Sequence, residues 1–342
     1  MWDHINPWLA GGGFVLGAAF GLVAQRSRFC MVAAFSNFAL MRDYRQVHAF
    51  LAALAVAVIG TFALEWTDLV AIAETGYRRP ALNWMGALGG GLLFGIGSML
   101  AGGCASRTLV RTAEGNLGAL LTLITFALCA MATLFGALGP VLAWVLGRAS
   151  PIGSGDASLS AILGWPAWVL PLGVGVACLA AILGLGNWRD HKGTIAGGIL
   201  VGLLVVAGWW VTGVLAVDAF DPHPPTSLTF ATPLAQGFAW LVMGQLTGGG
   251  FALFLVPGML LGAFVAAVAT GEFRWVAPAG ERVGAYLAGG AFMGIGALLA
   301  GGCNIGQGLT GAATLSATSL LAVMGILGGM MLGMAWVGRW GS

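Results

Sequence analysis

Charge is what this chain lacks most. Of its 342 residues only 8% are Asp, Glu, Lys or Arg, where a soluble domain carries roughly 25%. So sparse a supply excludes water as the main solvent. The formal net charge of +2 gives no basis for a nucleic-acid partner, and none is expected. Histidine is scarce as well: His4, His48, His191 and His223 are scattered and none stands near a cysteine. No metal-ligand spacing results, so neither a metal nor a cofactor is expected. Five cysteines in apolar surroundings are too few for a disulfide framework. Carboxylates avoid the apolar runs, with Glu65 and Asp68 at a helix end and Asp218 and Asp221 in a loop, which argues against a side-chain proton relay. No acid–base pair stands out either, and the expectation is a non-enzyme. The start shows no basic stretch followed by a cleavage site, so no removable signal peptide is expected.

What the chain has instead is apolar length and glycine. It is 59% hydrophobic with a mean hydropathy of +0.93, and it holds 58 glycines. Small residues let helix backbones approach closely in lipid, where the hydrophobic effect no longer drives helices together. Crossing the hydrocarbon core takes about 20 apolar residues. Nine stretches qualify: 8–25, 48–67, 84–103, 116–139, 166–186, 194–217, 251–270, 284–302 and 318–338. Gly136, Gly139 and Pro140 should break the fourth before its apolar run ends. Four further stretches, 29–41, 105–113, 228–246 and 304–313, are too short or interrupted to span. They read as re-entrant segments, tolerated at membrane depth only where they are buried in protein or line a cavity. The fold expected is an all-α integral membrane protein of nine transmembrane helices plus four re-entrant segments.

Two peptides are nearly the same. Gly90 to Cys104 reads GGLLFGIGSMLAGGC and Gly289 to Cys303 reads GGAFMGIGALLAGGC, identical at ten of fifteen positions. A repeat of that kind suggests two related halves. With the N-terminus outside, eleven basic residues fall in inner segments and only Arg78, Arg79 and Arg148 in outer ones, as the positive-inside rule asks. The first repeat, 8–147, then begins outside. A connecting helix at 166–186 returns the chain inward, and the second repeat, 194–338, begins inside. The halves are inverted, an arrangement that puts a site at the midplane on the pseudo-two-fold axis.

Each repeated peptide ends in a GGC turn: Gly102, Gly103 and Cys104 in one, Gly301, Gly302 and Cys303 in the other. The glycines let the chain leave its helix and expose backbone groups. The short helix that follows would point N–H groups inward, which suits an anion. Asn304 and Gln307 follow one cysteine and Ser106, Arg107 and Thr108 the other. A buried cysteine by default packs as a small apolar group, and Cys129 and Cys178, mid-helix, read that way. Recurrence at matching points sets Cys104 and Cys303 apart. Cys30, in RSRFCMVAAFSNF, has no thiol counterpart when Phe29 is matched to Phe230. A passage lined by thiols, glycine backbone and amides would bind weakly at successive points, which suits conduction. A soft sulfur-bearing anion fits such a lining best.

RFC at Cys30, GGC at Cys104 and GGCNIGQGLTG from Gly301 to Gly311 resemble the YeeE/YedE family of bacterial inner-membrane sulfur-transport proteins, over almost the whole chain. The resemblance implies thiosulfate as substrate, uptake across the inner (cytoplasmic) membrane, and Cys30, Cys104 and Cys303 in a narrow central passage. It also implies a cytosolic sulfur-carrier partner of the TusA type, here as a separate protein. Two other readings stay open: a membrane sulfurtransferase that forms a cysteine persulfide beside Arg107, and a transporter for another sulfur or selenium species.

Overall fold

In the computed structural model, residues 6–152, 155–216, 223–244 and 250–340 are described, the last four by backbone alone. His4, Asp218, Asp221, the end of the 228–246 stretch and the side chain of Arg339 lie outside the described residues. The described chain is helical nearly throughout. In order the helices are α1 (Pro7–Ser27), α2 (Met31–Met41), α3 (Arg45–Trp66), α4 (Gly91–Leu100), α5 (Ala105–Ala113), α6 (Leu117–Phe135), α7 (Gly139–Leu146), α8 (Leu159–Leu163), α9 (Val169–Gly184), α10 (Lys192–Trp210), α11 (Ala231–Met243), α12 (Gly250–Ala269), α13 (Val283–Ala300) and α14 (Ala317–Trp340). π-helical turns lead into α4 at Gly86–Gly90, extend α10 at Val211–Leu215 and precede α14 at Gly306–Gly311.

Among the described residues, eight helical stretches are long and apolar enough to cross a membrane: Pro7–Met41, Arg45–Trp66, Gly86–Ala113, Leu117–Phe135, Trp188–Leu215, Gly250–Ala269, Gly280–Ala300 and Ala317–Trp336. The ninth expected crossing forms α9, only 16 residues, or about 24 Å of helix. Pro166 precedes its start, Pro171 stands within its first turn, and the left-handed Gly186 (φ 67°) follows its end. The break foreseen near Gly136 is present, since α6 ends at Phe135 and Pro140 opens α7.

The surface and interior are distributed as lipid requires. Val15, Val176, Leu179, Met324 and Met331 stand exposed, where bilayer rather than water can cover them. Alanine takes many of the buried positions and large side chains such as Trp209, Phe94 and Phe126 fill others, while a set of polar side chains, Ser106, Thr108, Asn304, Gln307, Thr310, Thr314, Ser316 and Ser319, is buried as well.

Glycine decides which helices meet. On α1, a Cβ at Gly13, Gly17 or Gly21 would strike the carbonyl oxygen of Phe251, Leu255 or Met259 on α12. In return, Gly258 and Gly262 of α12 lie on the carbonyls of Phe14 and Ala18. The α3–α10 seam repeats the device with Gly198 on Ala49 and Gly202 on Ala53. Gly91 and Gly95 of α4 face Ala322 and Ile326 of α14, while Gly290 and Gly294 of α13 face Thr122 and Phe126 of α6. α4 and α13 meet through Gly97 against Gly289 and Gly90 against Gly296. Such backbone contact is open only to residues without a side chain, and it sets α4 and α13, the helices that lead into the two GGC turns, directly against each other.

Candidate functional site

The two GGC turns are built alike, bond for bond. Gly102 (φ 71°) and Gly301 (φ 76°) adopt the left-handed conformation that favours glycine. Gly102 N–H donates to Met99 O at 3.2 Å and Gly103 N–H to Ser98 O at 2.9 Å. In the second turn Gly301 N–H donates to Leu298 O at 3.3 Å and Gly302 N–H to Ala297 O at 2.8 Å. These are helix stops in the manner of a Schellman cap. Each cysteine then opens the next turn with its carbonyl, Cys104 O accepting from Thr108 N–H at 2.8 Å and Cys303 O from Gln307 N–H at 2.7 Å. Cys30 stands at the same kind of place, capping α2 in an extended conformation, with its carbonyl accepting from Ala34 N–H at 2.9 Å.

All three sulfurs are buried, and they come together. The thiols of Cys30 and Cys104 lie near enough to interact electrostatically. Cys303 lies within electrostatic range of Cys104. Backbone N–H groups lie near each sulfur, those of Ala33 at Cys30, Ser106 and Arg107 at Cys104, and Ile305, Gly306 and Phe230 at Cys303, while neither Cys30 nor Cys104 makes a side-chain cap hydrogen bond to the helix it opens. The Ser106 hydroxyl stands 3.2 Å from Cys104 Sγ. Cys129 is half-buried on α6 and Cys178 buried on α9, and neither joins the group. The cluster can therefore offer weak S–H and N–H donors to a desolvated anion without a fixed positive charge at its centre.

The polar residues expected near the turns divide into two kinds. Gln307 is committed at both ends: its amide nitrogen donates to Ala300 O at 2.8 Å and its oxygen accepts from Ser319 Oγ at 2.7 Å. Asn304 is the opposite case, fully buried with neither amide atom partnered by the protein. Thr108 Oγ1 is likewise buried and unpartnered. Arg107 reaches Glu114 at 3.4 Å, leaving its charge only an electrostatic influence on Cys30.

Two residues that sequence reasoning missed matter here. Arg111, counted only as a topology signal, donates to the carbonyls of Ala101 and Gly102 at 3.3 Å each. It does for the first turn what Gln307 does for the second. Tyr77, on the segment between α3 and α4, lies within electrostatic reach of Thr229 and Cys303. A lone tyrosine in a loop carries no sequence signal.

A cavity of about 650 Å³ reaches this region, with Tyr77, Thr229, Gln236, Ala300, Gly301 and Gln307 among its lining. A second, of about 670 Å³, collects Arg26, Arg28, Arg45 and His191 together with Asp43 and Asp190. No cysteine lines either one.

Helices sized for a bilayer, an apolar exterior and a polar, thiol-bearing interior define a multi-pass all-helical membrane protein with a buried polar centre. Residues 26–332 match the sulphur transport family, and the chain belongs to it. Two relatives bear the name thiosulfate transporter TsuA. The one from Spirochaeta thermophila is 33% identical over 352 residues, covering 95% of this chain and 98% of the relative. The one from Escherichia coli is 29% identical over 349 residues, covering 96% and 93%. A shorter likeness, 32% over 114 residues, joins 33% of this chain to 26% of the probable transporter YedE of Escherichia coli.

Proposed function

We propose that this protein is an uptake transporter, or channel-like conduit, for thiosulfate in a bacterial inner membrane, and that the anion passes Cys303, Cys104 and Cys30 by transient contacts. The observation that carries this reading is the meeting of three buried thiols, each near backbone N–H groups, in a chain whose full-length relatives are named thiosulfate transporters. Thiosulfate offers a soft terminal sulfur to S–H groups and oxygens to N–H and amide donors. Asn304 and Thr108, buried without protein partners, are the polar groups suited to those oxygens. Gly102, Gly103, Gly301 and Gly302 keep the turns open, and Gln307 and Arg111 hold them in shape.

In this reading the chain crosses the bilayer nine times, α9 included, with the N-terminus outside and the C-terminus inside. α2, α5, α11 and the Gly306–Gly311 turn are the four re-entrant segments. The repeats 8–147 and 194–338 are inverted copies joined by the 166–186 helix. Matched packing supports this: α1 lies on α12 as α10 lies on α3, and α4 lies on α14 as α13 lies on α6. Equivalent hydrogen bonds in the two GGC turns support it further. A TusA-like carrier would receive the product at the inner face.

The test is uptake of labelled thiosulfate into proteoliposomes holding only the purified protein, with sulfate, sulfite and selenium anions as competitors. Cys303→Ser and Cys104→Ala should each abolish uptake while protein still reaches the membrane. Normal uptake by both would refute the thiol pathway. The sulfurtransferase reading is weakened by Arg107, whose guanidinium is paired with Glu114 rather than free to activate a thiolate. A stable persulfide seen by mass spectrometry after exposure to thiosulfate would restore it.

A further inference from the structure

Between the 650 Å³ cavity and the buried thiols stands a small group of side chains that the cysteine pathway does not explain. Tyr77 and Thr229 both line the cavity, and their hydroxyls lie close enough to influence each other. Behind them is Gly306. A Cβ there would lie 2.9 Å from Thr229 Oγ1 and 3.7 Å from the Tyr77 phenol oxygen. The N–H of Gly306 in turn lies near the Cys303 sulfur, and the phenol itself interacts with Cys303. Gly306 thus has the two hydroxyls of the cavity wall on one side and lies three residues along the chain from Cys303.

The pair is held firmly. Ser316 Oγ donates to Tyr77 O at 2.6 Å, and the next residue, Arg78, donates to Thr314 O at 3.0 Å while its guanidinium pairs with Glu65. The Tyr77 ring packs edge-on against Trp209, with centroids 6.2 Å apart. On the other side it leaves no space for a side chain at Gly311. Burial pushes the phenol above its ordinary value, so it stays a neutral donor at any pH the protein meets.

We infer that Tyr77 and Thr229 form a polar lip that admits a sulfur oxyanion from the cavity to Cys303, the phenol covering the thiol until the anion takes up its hydrogen bonds. This rests on the transport reading above. Two hydroxyls without charge can desolvate an oxyanion stepwise and release it, whereas a cation at the same place would retain it.

Tyr77→Phe removes one oxygen and keeps the ring that packs on Trp209, and Thr229→Val removes the partner hydroxyl at constant shape. In proteoliposomes each should raise the thiosulfate concentration for half-maximal uptake by about tenfold, the size of one lost hydrogen bond to an anion. Maximal rate and melting temperature should stay near wild type, a split that a merely structural role would not produce. Tyr77→Ala, which uncovers the thiol, should speed alkylation of Cys303 by a membrane-impermeant thiol reagent several-fold, as followed by peptide mass spectrometry, and leave Cys104 unchanged. Wild-type half-saturation in both Tyr77→Phe and Thr229→Val, or unaltered Cys303 labelling in Tyr77→Ala, overturns the inference. If the wild-type protein itself takes up no thiosulfate, the transport reading falls. The labelling result then still decides whether Tyr77 covers Cys303.

Discussion

Replacing Asn304 by leucine should make this protein more stable and less active at once. The side chain is fully buried, and neither its nitrogen nor its oxygen meets a partner in the protein. A buried polar group left unsatisfied costs about 1–3 kcal/mol, and leucine, larger but of the same branched shape, has no such group to satisfy. Asn304→Leu should therefore add on the order of 2 kcal/mol, which for a chain of this size raises the melting temperature by a few degrees (about 2 °C per kcal/mol). Uptake should fall at least about tenfold, because an anion beside Cys303 then loses a donor. The pairing of gain and loss is what separates a group kept for a ligand from one kept for the fold. Thermal unfolding of detergent-purified protein and proteoliposome uptake measure the two sides. A variant that melts earlier than wild type yet transports normally would show the amide to be structural, and the reasoning would be wrong.

Gly301→Ala should cost about 1–2 kcal/mol, since it places a Cβ in the left-handed region, and that Cβ would lie 3.1 Å from Gln307 Nε2; lowered uptake with a reduced melting temperature is the expected outcome. Gly17→Leu sets a side chain against the Leu255 carbonyl and should keep the protein from accumulating in the membrane, which immunoblotting of membrane fractions will register. Cys129→Ser and Cys178→Ser, both remote from the thiol cluster, should leave uptake within about twofold of wild type, a shift below about 0.5 kcal/mol; a large loss in either would mean that the pathway runs elsewhere.

The parts of the fold legible in the sequence are those set by local composition. Apolar length located eight helical stretches long enough to cross a membrane, and paired glycines before Cys104 and Cys303 located the stops of α4 and α13, because both effects act within one helix. α9 came out shorter than its hydropathy suggested, since Pro166 and Gly186 act on backbone geometry that a hydropathy run ignores. Long-range pairing was not legible. Gln307 and Arg111 take their roles from the carbonyls of Ala300 and Ala101, and only a folded turn shows which carbonyls need a donor. Arg107 looked free beside Cys104 until Glu114 was found within reach. Tyr77 gained its place from Ser316, more than two hundred residues away. Asn304 could be singled out by its neighbour in sequence, but its want of a protein partner is a property of the packed interior alone.

The seams between helices carry a mechanical consequence. Where Gly13, Gly17 and Gly21 rest on successive carbonyls of α12, and Gly258 and Gly262 rest on α1 in return, the two rods mesh like a rack engaged at every tooth. A slide of a fraction of a turn would drive α-carbons into oxygens, so these two helices resist shear against each other. Anything that traverses the interior must find its opening in the small movable groups around the turns, within walls that keep their shape.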